Sequence, residues 1–250
     1  MKFTVLGGTG RVGTQVVERL RAAGHDVVPA SLSTGVDVLS GKGLDQVLEG
    51  ADVLINLTNS PAFDETSISF FETSMNNVTA AAEAAGVRHH VIASIIGVDQ
   101  VPQLDYYRAK VAQENILKNA PTPYSIVRFT QFFEFVEPIM SWTTDGDTVR
   151  LPATPVQPMA SADVAAAVVR AASEAPLQGI RNVAGPDVFP LDELGRITLA
   201  ARSDGRSVVT DDQAGMFAVV TGDVLTAPED AEFAPTHYRD WLQGQQPNAR

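Results

Sequence analysis

In Asp105-Tyr-Tyr-Arg-Ala-Lys110 a phenol and an ammonium, those of Tyr106 and Lys110, stand four residues apart. On a helix that spacing puts both on one face. An ammonium beside a phenol favours the phenolate and lowers a pKa that is about 10 in water. A phenol tuned in this way donates its proton to an oxygen on which negative charge develops, and takes it back in the reverse direction. Upstream, Ser94 closes the run His90-Val-Ile-Ala-Ser94 and is expected to hold the same oxygen. Tyr107, three residues from Lys110, is a rival proton donor that reads as a packing residue.

The second constellation is Lys2-Phe-Thr-Val-Leu-Gly-Gly-Thr-Gly-Arg-Val-Gly13. A short apolar run stops in glycines, and Val12, Val16, Val17, Leu20 and Ala23 then recur at helical spacing. The pattern is strand, tight turn and helix N-terminus, where unpaired N–H groups and the helix dipole favour an anion. Gly8-x-Gly10-x-x-Gly13 matches the dinucleotide fingerprint, and Gly7-x-x-Gly10-x-x-Gly13 matches the spacing of short-chain dehydrogenases. The second register is preferred, with Gly8 as the small residue between. A pyrophosphate-bearing dinucleotide is the predicted ligand.

The run Val27 to Ser31 is the predicted second strand. An acid at its end would accept from the 2′-OH of NAD. The chain instead reads Ala30-Ser-Leu-Ser33. The hydroxyls of Ser31 and Ser33, with Arg11 in the glycine turn, suit a 2′-phosphate. NADP is therefore expected, with NAD as the alternative. Gly35 to Leu39 is predicted as a short third strand, in which Asp37 either faces the adenine amine or begins a turn. The apolar run Asp52 to Leu57 is a parallel strand covered on both faces, and its end places Thr58 and Asn59 beside the cofactor.

These segments together resemble the atypical short-chain dehydrogenases, and within them the NmrA-like NAD(P)-binding group. The resemblance rests on Gly7-Gly-Thr-Gly-Arg-Val-Gly13, Asn56-Leu-Thr-Asn-Ser60, Gly86 to Ser94, Tyr106-Tyr-Arg-Ala-Lys110 and Tyr124 to Phe132. It covers the first 140 residues or so, and more weakly Pro158 to Val169. It implies a Rossmann fold with Gly7, Thr9, Gly10, Arg11 and Val12 on the phosphates and Lys110 near the nicotinamide ribose. The group also contains dinucleotide sensors that catalyse nothing, many of which lack the tyrosine. Tyr106 and Lys110 together point to an enzyme.

The elements that must position these residues alternate between strand and helix. That order predicts an α/β fold, a Rossmann-like doubly wound parallel sheet with a small C-terminal substrate-side region. The predicted division is residues 1–142 for the NAD(P)-binding domain and 143–250 for a smaller α/β region of the same globular unit. A helix over Ile68, Phe71, Met75, Val78 and Ala82 and another from Asp105 to about Lys118 flank the strand that carries Ser94. The segment Gln131 to Trp142 is read as a helix, with Phe132 and Phe133 as walls of an apolar substrate pocket. The segment Asp211 to Pro235 has a poor pattern, a short helix follows from His237, and Gln243 to Arg250 read as a disordered tail.

The chain of 250 residues contains no cysteine, which excludes disulfides and thiolate chemistry. Adjacent His89 and His90 point to opposite faces of a strand, and no metal site is expected. A net charge of −12 opposes nucleic acid and anionic membrane surfaces as partners. The chain opens inside a predicted strand, so no signal peptide is expected, and no apolar run approaches bilayer length. A cytoplasmic protein, monomer or homodimer, acting on a small molecule is the expectation. The predicted activity is NADPH-dependent hydride transfer to a carbonyl or conjugated alkene, with Tyr106 as proton donor. The alternatives are a dinucleotide sensor and an epimerase or isomerase that retains NAD.

Overall fold

A computed structural model describes residues 1–245. Its first elements are β1 (Lys2–Leu6), α1 (Arg11–Ala22), β2 (Asp26–Ala30), α2 (Leu44–Leu48), β3 (Val53–Asn56), α3 (Thr66–Ala84), β4 (His89–Ile95), α4 (Asp105–Asn119) and β5 (Tyr124–Phe129). Then come α5 (Val136–Trp142), β6 (Thr144–Asp145), β7 (Thr148–Leu151), β8 (Pro155–Val156), α6 (Ser161–Ser173), β9 (Gly179–Ala184) and β10 (Phe189–Pro190). The last are α7 (Leu191–Arg202), β11 (Ser207–Thr210), β12 (Glu232–Phe233) and α8 (Tyr238–Gly244). Helix α8 takes in the first residues of the predicted tail, and the last five of that tail lie outside the described residues.

The central sheet has seven strands in the order β12-β9-β5-β4-β3-β1-β2. β1 pairs in parallel with both β2 and β3, and β3 pairs in parallel with β4. This is the Rossmann-like α/β architecture that the alternating pattern predicts. The chain goes from β1 to one side and then returns to the other, which opens a crevice at the carboxyl ends of β1 and β3. Phe3, Val5, Leu54 and Ile55 are fully buried, as expected for strands covered on both faces. The predicted helical stripe Phe71, Met75, Val78 and Ala82 is fully buried on α3.

Two compact units emerge among the described residues, 1–128 with 164–181, and 129–163 with 182–245. A single cut after Trp142, as the sequence predicts, does not describe this division. The body of α6 packs with the first unit through buried Val164, Ala165 and Val168. In the second unit, β11, β7 and β6 form a three-stranded sheet. There Phe133 packs its ring on Tyr238 and Trp241 at centroid distances of 4.9 and 5.4 Å.

Two predicted elements change. No strand forms over Gly35 to Leu39. Asp37 accepts from the Leu39 N–H at 2.9 Å and the Ser40 hydroxyl at 2.7 Å, and the Val36 N–H returns to Ser31 O, so the polar groups are satisfied within a turn. Asp37 thus begins a turn. The helix predicted from Gln131 starts only at Val136. Phe133 N–H donates to Met159 O and Met159 N–H donates to Gln131 O, at 2.9 and 2.8 Å, which draws 131–133 into extended pairing.

Gly8 is more constrained than a small spacer. A Cβ there would lie 2.7 Å from Val5 O and 2.9 Å from Pro29 Cα. Gly8→Val is expected to destabilise the protein by about 1–3 kcal/mol, read as a lower urea midpoint. An unchanged midpoint would show that β1 and β2 can part without loss.

Candidate functional site

The glycine turn is built by backbone contact. Gly7 has φ 74°, in the left-handed region that a side chain disfavours, and a Cβ on it would stand 2.8 Å from Leu57 O, beyond the end of β3. A Cβ on Gly13 would stand 2.1 Å from Gly7 O. The first N–H to close onto α1 is that of Thr14, donating to Gly10 O at 2.9 Å, so those of Arg11, Val12 and Gly13 precede the hydrogen-bonded ladder. They supply the donors and the positive dipole end that a pyrophosphate requires.

Beside the turn is a cavity of about 640 Å³ in the first unit. Gly7, Thr9, Gly10, Ser31, Ser33, Thr58 and Asn59 line it, all residues the sequence assigns to the cofactor, together with Leu32, Val36, Val38, Pro61 and Phe70. Thr9 Oγ1 donates to Ser31 Oγ at 3.0 Å, and Ser31 Oγ and Ser33 Oγ are hydrogen-bonded at 2.8 Å. Arg11 is exposed at the start of α1. Asp37 also reaches the cavity, but its two oxygens serve the Leu39–Ser40 turn. The cradle and cavity fit a dinucleotide.

Tyr106 is 8% exposed near the start of α4 and donates its phenol proton to Asn59 Oδ1 at 2.5 Å. Phe63 and Phe71 pack on it at ring distances of 4.9 and 6.2 Å. Burial pushes the phenol up to about 12, with the Asn59 hydrogen bond opposing. This corrects the predicted lowering by Lys110. The shared helix face holds, but the lysine stem runs to β4, where Nζ donates to Ala93 O at 2.7 Å and also to Gln113 Oε1. The same Nζ lies 4.8 Å above the Phe71 ring. Burial pulls the Lys110 ammonium down to about 7, with Glu114 acting the other way.

Ser94 is likewise redirected. Its hydroxyl donates to Glu114 Oε1 at 2.7 Å, so it can offer a further group its lone pairs but not its proton. Glu114 is 1% exposed and also accepts from Arg128 Nε and Nη2, both at 2.8 Å, and from Lys118 at 3.0 Å. Burial opposes its ionisation, but the hydrogen bonds from Arg128 and Ser94 outweigh it and hold the carboxyl below its ordinary value. The spacing Lys110-x-x-x-Glu114 carried a signal for this residue. Nothing local pointed to Arg128. Asn56 was also missed. It ends β3 and accepts from Thr58 N–H at 3.1 Å and Thr58 Oγ1 at 2.6 Å, which shapes the loop carrying Asn59.

The two predicted pocket aromatics lie in the second unit. Phe133 is 2% exposed, a core ring and no pocket wall, because Tyr238 and Trp241 cover it. Phe132 is half-buried, edge-on to Phe129 at 6.4 Å. His89 hydrogen-bonds Ser125 Oγ at 2.8 Å, and burial pulls it and fully buried His90 down to about 4 and about 3.

Residues 7–175 match the model of a family described as NAD(P)H-binding. The chain belongs to this NAD(P)H-binding family. Among curated relatives it is similar to the (4-alkanoyl-5-oxo-2,5-dihydrofuran-3-yl)methyl phosphate reductase of Streptomyces griseus, 34% identical over 137 residues, 50% of this chain and 45% of that protein. The chain spans about half the length of the curated relatives it matches. Among solved structures, the triphenylmethane reductase of a Citrobacter species superposes with a TM-score of 0.73 at 17% identity, covering 98% of this chain and 99% of that one. The NADPH-dependent quinone oxidoreductase of Escherichia coli, complexed with NADPH, superposes with 0.63 at 21% identity, covering 84% and 77%. Each superposition shows a shared fold. No helix among the described residues is long and apolar enough to cross a membrane.

Burial of Lys110 couples stability to pH. Its folded value is about 7 against about 10.5 in the unfolded chain, so between those values the unfolded state holds a proton that the folded state lacks. Its contribution to stability therefore improves as pH rises through that window. Lys110→Met removes this dependence. Its stability relative to the parent, from urea unfolding, is expected to fall by about 1 kcal/mol per pH unit between pH 7.5 and 9.5. Parallel pH curves would show the ammonium to be well solvated.

Proposed function

We propose that this chain is an NADPH-dependent oxidoreductase that reduces the carbonyl or conjugated alkene of a small, fairly apolar molecule. The observation that carries the reading is Tyr106, a buried proton donor hydrogen-bonded to Asn59, itself a wall of the cavity beside the glycine turn. When bound, the reduced nicotinamide supplies a hydride. The first N–H groups of α1 and the Gly7 turn hold the pyrophosphate. The hydroxyls of Thr9, Ser31 and Ser33, with Arg11 nearby in sequence, favour a 2′-phosphate, and no acid stands at the end of β2 to accept from a 2′-hydroxyl. In carbonyl reduction Tyr106 would give its proton to the substrate oxygen, and the phenolate would regain a proton from solvent. A phenol at about 12 remains a proton donor throughout the neutral range. Lys110, buried between Ala93 O and Gln113, serves as a ribose anchor. The reductase named among the relatives supports reduction over other uses of the fold.

One observation favours the sensor as a second reading, since Lys110 does not touch the phenol and leaves it untuned. Loss of nicotinamide absorbance with 9,10-phenanthrenequinone and a panel of enones separates the two. Turnover is expected, and Tyr106→Phe is expected to lower kcat by about 100-fold or more while NADPH still binds. Full turnover by Tyr106→Phe would remove the tyrosine from its role. Tight NADPH binding with no oxidation across the panel would establish the sensor, and a cofactor that copurifies with no net redox would point to the epimerase.

A further inference from the structure

We propose that Asn59 is the positioning residue for the Tyr106 proton, its carboxamide accepting that proton's hydrogen bond at rest and donating one to the phenolic oxygen once the proton has left. The inference rests on the functional reading above. The geometry that carries it is the Tyr106 Oη to Asn59 Oδ1 contact of 2.5 Å, together with the commitment of Lys110 to Ala93 O and Gln113. Among the described residues, Asn59 is the polar side chain that the structure places on the phenolic oxygen. The neighbouring Phe63 and Phe71 rings offer no donor. Among the described side chains, Asn59 is the one placed to donate a hydrogen bond to a phenolate formed there, and a buried phenolate without a protein donor is costly.

A carboxamide can do both tasks. It has one acceptor oxygen and an NH₂ with two donors, and a half-turn about its last torsion exchanges them. The backbone around it is held on both sides. Thr58 is tied to Asn56, and Ser60 Oγ accepts from Ala62 N–H at 3.2 Å and from Ser67 Oγ at 3.1 Å. Asn59 itself is exposed. The proton passes from Tyr106 to the substrate oxygen, the Asn59 N–H then stabilises the phenolate, and reprotonation from solvent restores the resting contact. Asn59 donates no proton of its own.

The test uses Asn59→Asp, nearly isosteric and able to accept but not to donate, and Asn59→Ala, able to do neither. Turnover is measured at saturating NADPH with 9,10-phenanthrenequinone, and the Tyr106 Cζ resonance is followed in tyrosine-labelled protein, assigned with Tyr106→Phe. Asn59→Asp is expected to lower kcat at least about 10-fold with quinone KM changed less than about twofold, and to raise the solvent deuterium isotope effect. Asn59→Ala is expected to move the Cζ resonance and raise the pH at which it titrates. An unchanged kcat and isotope effect in Asn59→Asp, where Tyr106→Phe is inactive, would overturn the role of Asn59 and leave the oxidoreductase reading intact. An unmoved Cζ resonance in Asn59→Ala would also overturn it. A fully active Tyr106→Phe would overturn both.

Discussion

The structure depends on a close approach of backbone to backbone at the end of β1. Gly7 lies against Leu57 and Gly13 lies against Gly7, at separations that leave no space for a Cβ. The contact with Leu57 ties β1 to the chain leaving β3, and the contact with Gly13 sets the start of α1 against the turn. The N-terminal N–H groups of α1 consequently open beside the cavity, and the loop carrying Thr58 and Asn59 is fixed as its opposite wall. A turn built of larger residues would separate these parts, since none of them makes the others necessary by side-chain packing.

A second constraint is electrostatic and lies along one face of α4. Glu114 is a buried carboxylate with hydrogen bonds from Ser94, Arg128 and Lys118, so its charge is compensated. One turn earlier, Lys110 is a buried ammonium whose hydrogen-bond partners, Ala93 O and Gln113 Oε1, are neutral oxygens. The contrast explains the opposite behaviour of the two groups. Glu114 stays ionised, whereas Lys110 is pulled towards neutrality. A lysine in that state gains from any anionic or hydroxyl-rich ligand that enters beside it, which is consistent with a binding role and less so with tuning a phenol it does not touch.

Much of the first unit was legible in the sequence. Glycines at fixed offsets between an apolar run and a helical stripe have few physical readings, and the period of 3.6 residues places Tyr106 and Lys110 together without reference to the rest of the chain. What escaped depends on contacts distant in sequence or on local competition. The long stem of Lys110 reaches whichever acceptor the fold supplies, and Ala93 O arrives from a neighbouring strand. Gly35 to Leu39 has strand-forming valines, yet Asp37 satisfies the backbone locally and wins. Phe133 has an aromatic pattern that suits a pocket, but Tyr238, near the far end of the chain, claims its face.

The proposed function requires a dinucleotide held at the glycine turn with its 2′-phosphate among the hydroxyls of Thr9, Ser31 and Ser33. Calorimetric titration of the protein with NADPH and with NADH tests this most directly. One site per chain is expected, with NADPH bound at least about tenfold tighter than NADH, a difference of about 1.4 kcal/mol or more. Equal or tighter binding of NADH, or no binding of either, would contradict it.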